Sequence, residues 1–228
     1  MTRNTDELIR RLARSAAPVQ PLQGPWLRAA RWLALSLPCI AIVVVAASPR
    51  RDLVSKLADW HFFTEELAAV TTGLCAAAAA FATVIPGYDR RFLLLPVLPL
   101  TLWLGSLGQG CAQDWMQLGW MGVSFQPSWV CLPSIAVVGA VPAIVMVRML
   151  RRGAPLTPRL TMALGGLAAA GLGNFGLRLF HVVDASLMVL VWQFGAVCVL
   201  SAVSGVAGGY LLSWKALGGG RRAAQGLV

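Results

Sequence analysis

Charge is scarce in this sequence. Charged residues make up 12% of its 228 positions, while AVILMFWYC account for 57%. A soluble globular domain carries about twice that charged fraction, so a soluble enzyme domain is excluded at the first count. Acidic residues are scarcer still: 9 Asp and Glu stand against 19 Lys and Arg, a formal net charge of +10. No Asp, Glu or Lys falls near the middle of any apolar run, which argues against a secondary transporter or proton pump, because moving ions need a counter-charge or relay there. A channel would show a polar helix face or filter loop, and neither is evident. Histidine occurs only at His61 and His181. There is no HExxH, no phosphate-cradling glycine motif, no C-x-x-C and no suggestion of a Ser–His–Asp arrangement. The paired axial ligands that haem needs are missing. No catalytic centre, metal or cofactor is expected.

What the sequence has is long apolar runs. Segments of about 18 or more mostly apolar residues read as membrane spans. Six are found, at roughly Trp26–Ala47, Leu67–Ile85, Phe92–Leu107, Val130–Leu150, Leu160–Phe180 and Leu187–Trp214. The third holds Pro96 and Pro99, which predict a kink with local repair of the freed carbonyls. The connections are too short for a soluble domain. The expected fold is all-α: a polytopic bundle of six transmembrane helices over 26–214, an N-terminal segment 1–25 and a glycine-rich tail 215–228.

The basic excess sorts by side. Six spans put both termini together, and with the N-terminus inside, 15 basic residues meet three acidic ones (Asp6, Glu7, Asp89) on the cytoplasmic face. The other face keeps Arg50, Arg51, Lys56 and Arg178 against Asp52, Asp59, Glu65, Glu66, Asp114 and Asp184. The split is +12 inside and −2 outside, so the excess is a topology signal rather than a nucleic-acid footprint.

The N-terminus does not read as a secretory signal, because about 25 mostly polar residues precede the first span. Thr5 can cap a helix with Asp6 and Glu7 in its first turn. Leu8, Ile9, Leu12 and Ala16 then recur at helical spacing among Arg10, Arg11 and Arg14, and Pro18 ends the pattern. Such a helix of about three turns is too short to be stable alone, so its apolar stripe wants a membrane or a protein partner. Segment 48–66 suggests a short interfacial helix through Leu53, Leu57 and Trp60. Gly165, Ala169 and Gly173, then Gly166, Ala170 and Asn174, then Gly205 and Gly209, are small residues spaced by four, a pattern for close helix packing.

Of the five cysteines, Cys39, Cys75 and Cys198 lie in apolar spans, where a thiol acts as a small hydrophobe. Cys111 and Cys131 fall at the two ends of one outward loop, 108–129, which also carries Asp114, Trp115 and Trp129; tryptophan rings favour the headgroup level. In an oxidising compartment the pair is compatible with a static disulfide or with a redox-sensing switch, provided the helix ends approach within about 7 Å. Cys111, Cys131, His181 and Asp114 or Asp184 do not match a recognised metal-ligand spacing. His181 and Asp184, three apart after Arg178, can hydrogen-bond across a turn and support the fifth loop.

Taken in order, Asp6-Glu7-Leu8-Ile9, Leu12-Ala13, Ala17-Pro18-Val19, Cys111-Ala-Gln-Asp114-Trp115, Ser128-Trp129-Val-Cys131, 151–156, 177–181 and 184–188 resemble NrsF-like proteins, bacterial inner-membrane negative regulators of extracytoplasmic-function sigma factors. The resemblance runs to about Trp214. It implies an anti-sigma factor whose cytoplasmic N-terminal segment holds the sigma factor away from RNA polymerase, with no direct nucleic-acid contact. It also implies that Cys111 and Cys131 are the periplasmic pair needed for response to oxidative or heavy-metal stress. On that implication Leu8, Ile9 and Leu12 supply apolar contact to the partner, with Asp6, Arg10 and Arg14 around them. The rival readings are a small transporter or channel with a structural periplasmic disulfide, and a membrane thiol-disulfide oxidoreductase, which the missing C-x-x-C disfavours.

Overall fold

The computed structural model describes residues 2–15, 22–118, 131–153, 155–181 and 194–212. Every regular element among them is helical. The helices are α1 (Thr2–Ser15), α2 (Pro25–Ala46), α3 (Leu53–Leu57), α4 (Trp60–Ala82), α5 (Val97–Leu118), α6 (Cys131–Leu150), α7 (Pro158–Arg178) and α8 (Gly195–Leu211), with a 3-10 turn at Arg90–Leu94 before α5.

Five of the helices, or segments ending in them, are long and apolar enough to cross a membrane: Pro25–Ala46, Trp60–Ala82, Arg90–Gln109, Pro133–Leu150 and Pro158–Arg178. The protein is thus all-α and largely membrane-spanning, with five clear spans among the described residues. The sixth expected span is described only as the shorter apolar helix Gly195–Leu211; the rest of the expected 187–214 lies outside the described residues.

The helices run alternately between two ends. At one end the start of α2 meets the ends of α4 and α6, through Arg28 on Phe81 and on the Met149 carbonyl. There too the Thr83 and Thr161 hydroxyls hydrogen-bond at 2.8 Å, joining the end of α4 to the start of α7, and Arg151 donates to the Leu211 carbonyl. At the other end the Arg50 amide donates to the Leu179 carbonyl at 3.1 Å, tying the exit of α2 to that of α7.

Helix α7 is the central stave, packed against α4, α6 and α8. Its small residues allow this. A Cβ built on Gly173 would sit 2.7 Å from the Ile135 carbonyl oxygen, and one on Gly166 would sit 2.6 Å from Ser204. The small-residue stripes are therefore packing faces within the bundle. The α8 glycines against α7 are Gly205 and Gly208, whereas a Cβ on Gly209 would have only Arg159 nearby, at 3.7 Å. Gly173→Ala is expected to lower stability by about 1–3 kcal/mol, because the neighbour to be displaced is backbone. Thermal unfolding in detergent checks it.

The prolines behave differently from expectation. Pro96 precedes α5, its carbonyl accepts from the Leu100 amide at 3.0 Å, and Pro99 falls in the first turn. A missing amide proton costs nothing there, so neither residue interrupts the helix. The interior prolines are Pro38 in α2 and Pro142 in α6. The buried Trp32 indole donates to the Pro142 carbonyl at 2.9 Å, which joins α2 to α6 through a satisfied polar tip.

Candidate functional site

Helix α1 begins at Thr2, so Thr5 lies inside it rather than capping it. All its described side chains, residues 5–15, are exposed. Leu8, Ile9 and Leu12 are 56%, 57% and 60% exposed, at the i, i+1, i+4 positions of one face. Asp6 and Arg10 lie one turn apart, with the Arg10 Nε donating to the Asp6 carbonyl. Arg14 stands in the last turn, where a cation suits the helix dipole.

The end carrying Arg50 and Arg178 holds a buried ionic cluster. Arg178 closes α7 and reaches α4, its Nη1 lying 2.5 Å from Glu65 Oε2 and its Nε 3.0 Å from Glu66 Oε1. The three side chains are 7%, 13% and 6% exposed. The Phe62 ring lies near both guanidiniums, 4.8 Å from that of Arg178 and 5.8 Å from that of Arg50, measured to the ring centroid. Arg50 grips Asp52 with both arms, at 2.7 and 2.8 Å. Carboxylates so deep in an apolar helix are tolerable only when paired.

The Arg50 hydrogen bonds hold the Asp52 carboxyl below its ordinary value. A depressed folded-state value means that the pair stabilises the fold above the ordinary carboxylate range. That contribution is lost as pH falls through the depressed value. Asp52→Asn is expected to remove this dependence, so the melting temperature of the variant should fall less steeply at acid pH than that of the wild type. The effect is small, because the Asp52 side chain is 44% exposed and screened.

The expected outward loop is partly helix. Helix α5 continues to Leu118, so Cys111, Asp114 and Trp115 belong to its last two turns and not to a loop, and the Trp115 ring is exposed. Cys131 is the first residue of α6. The side chains of Cys111, Asp114 and Cys131 lie outside the described part, as do Trp129 and Asp184 entirely. His181 follows α7, its amide donating to the Leu177 carbonyl at 2.9 Å. Cys39 and Cys75 are free and half-buried, and Cys198 is free and exposed on α8. Among the described residues no group of three His, Cys, Asp or Glu is placed to hold a metal.

At the opposite end, α2 and α6 enclose an open cleft of about 460 Å³ lined by Arg28, Arg31, Arg148 and Arg152, with Gln23 and apolar Leu22, Leu35, Val145 and Met149. Arg31, Arg148 and Arg152 are exposed, and Arg28 is 5% exposed.

Both charged clusters escaped the sequence reading, which used these residues only to orient the chain. A signal existed. Glu65 and Glu66 abut an apolar run, and a charge there demands a partner, for which Arg178 at the end of another run is the natural choice. Arg28 and Arg31, and Arg148 and Arg152, each share a helix face by their spacing.

Long apolar helices, an exposed amphipathic N-terminal helix and charge clusters at the two ends define a polytopic membrane protein. The chain matches the family described as "Negative regulator of sigma F" over residues 12–214. It belongs to that NrsF family, and is thereby a sigma-factor-regulating membrane protein of a regulatory rather than a catalytic kind. The match opens at Leu12, so Asp6, Leu8, Ile9 and Arg10 stand ahead of it, and it closes at Trp214, before the glycine-rich tail. Comparison with curated proteins and with solved structures gave no match.

Proposed function

We propose that the protein is an inner-membrane anti-sigma factor whose N-terminal segment sequesters an extracytoplasmic-function sigma factor. It releases that factor when Cys111 and Cys131 respond to oxidative or heavy-metal stress in the periplasm. The observation that carries the reading is α1, which offers Leu8, Ile9 and Leu12 to solvent inside a ring of arginines. A short amphipathic helix with a bare apolar stripe is an anchor for a partner's groove. The separation of charge supports termini that face the cytoplasm, since positive charge is retained there.

The thiol pair has a mechanical route to the bundle. Cys111 stands two turns before the end of α5 and Cys131 opens α6. α5 packs on α4 and α6 on α7, and α4 and α7 share the Arg178 ion pairs. Linking or unlinking the thiols biases the spacing of α5 and α6, and with it two states of different affinity for the sigma factor. The test is recovery of the co-expressed sigma factor with wild type and with Cys111→Ser/Cys131→Ser, before and after oxidant or heavy-metal exposure. Wild type releases the factor on exposure and the double variant retains it. Equal release from both rejects the thiol switch.

A further inference from the structure

We propose that the arginine cleft between α2 and α6 binds the phosphate of an anionic phospholipid. Its four guanidiniums converge with no carboxylate in the lining. Like charges held together in a partly buried site raise the energy of the empty state, and an anion removes that cost. Arg28 is fixed for this purpose. Its Nη2 donates to the Met149 carbonyl at 2.6 Å, and its guanidinium lies 4.4 Å from the Phe81 centroid. Its Nη1 is buried with no hydrogen-bond partner. A buried, charged donor left unsatisfied is costly, and an oxyanion in the cleft would satisfy it. Arg31 is held by the Gln23 side-chain carbonyl, while Arg148 and Arg152 sit one turn apart around the end of α6.

The surroundings favour a lipid over a free anion. The cleft lies where two helices apolar enough to cross a membrane begin and end, the level at which a headgroup would meet them. Leu35 and Val145 line it as well as the arginines. Leu35 lies about 10 Å further along α2 than Arg28, by helical rise. Beyond it, exposed Ile42 and Val45 on α2 and Val141 and Ile144 on α6 give acyl chains an apolar surface. Basic pockets between membrane helices recognise anionic headgroups in this way. The leaflet that supplies the lipid follows from the orientation proposed above; the binding chemistry does not.

The experiment uses the full-length protein in detergent, titrated separately with phosphatidylglycerol, with phosphatidylcholine and with inorganic phosphate. Bound lipid is read by native mass spectrometry and the thermal midpoint is followed in parallel. Wild type retains phosphatidylglycerol and is stabilised by it, while phosphatidylcholine and phosphate at matched concentration have little effect. Arg31→Gln/Arg148→Gln/Arg152→Gln changes only exposed side chains, so the fold survives, and it weakens retention by roughly a hundredfold, at about tenfold or less per charge. Arg90→Gln/Arg91→Gln/Arg159→Gln removes the same charge outside the cleft and leaves retention near wild type. Equal loss in both triple variants, equal binding of phosphatidylcholine, or equal stabilisation by inorganic phosphate overturns the proposal. None of these readings involves a sigma factor or the direction of insertion, so failure here is distinct from failure of the anti-sigma assignment.

Discussion

Deletion of residues 1–17 is expected to abolish capture of the sigma factor while leaving the thermal midpoint of the bundle unchanged. The second half of that expectation follows from burial. Every described side chain of α1 is exposed, and none of its residues belongs to the hydrophobic clusters that hold the bundle together. The first half follows from the stripe. Full burial of a leucine or isoleucine contributes about 1.5–3 kcal/mol. Leu8, Ile9 and Leu12 each retain more than half of their exposure to lose on docking. Burying all of that remaining area contributes about 2.5–5 kcal/mol for the three, roughly a hundredfold or more in affinity. Ordering a helix too short to persist alone offsets part of the gain. The finer variant Leu8→Ser/Leu12→Ser should therefore weaken capture by roughly tenfold to a hundredfold rather than abolish it. Substituting Arg10 and Arg14 should instead slow association and reduce its salt dependence. Titration of the purified full-length protein with the sigma factor, with circular dichroism as a check on the bundle, reads both. Unaltered affinity after deletion would place the docking surface elsewhere.

The limits of sequence legibility follow from what hydropathy measures. It reports where side chains enter and leave an apolar medium, and it agrees with helix ends only where the two coincide. They coincide for α2, where Pro25 starts the helix and the chain turns at Ser48, a non-glycine residue with φ 66°. They coincide again for α6, expected from Val130 and observed from Cys131. They diverge for α4, which starts at Trp60 rather than Leu67, because Glu65 and Glu66 look like loop residues until Arg178 is placed against them. They diverge for α5 as well. Gln109, Gln113 and Asp114 mark an exit from apolar sequence, yet good helix formers carry the backbone on to Leu118. The amphipathic α1 and the short helix through Leu53 and Leu57 were legible because their signals are local, although Trp60, expected in the same helix, instead opens α4 after a break at Asp59. The two charged clusters were not, because each joins residues more than 100 positions apart.

That non-locality makes Arg178 the residue whose loss should cost the bundle most. Arg178→Met removes the ion pairs to half-buried Glu65 and buried Glu66, and breaking a buried pair in this way costs about 3–5 kcal/mol. The cation over the Phe62 ring goes with it. Glu65→Gln/Glu66→Gln/Arg178→Met removes the charges together and should recover much of the loss, since a buried ion pair contributes little over a well-packed neutral replacement. If thermal unfolding ranks the triple variant no better than Arg178→Met, packing rather than charge pairing accounts for the cluster. If it ranks them as expected, the cluster is a charge-balanced clasp between α4 and α7. Its position at the same end as Arg50 and the α2 exit then links α4, α7 and the end of α2, beside the direct contact of α2 with α6 through Trp32 and Pro142.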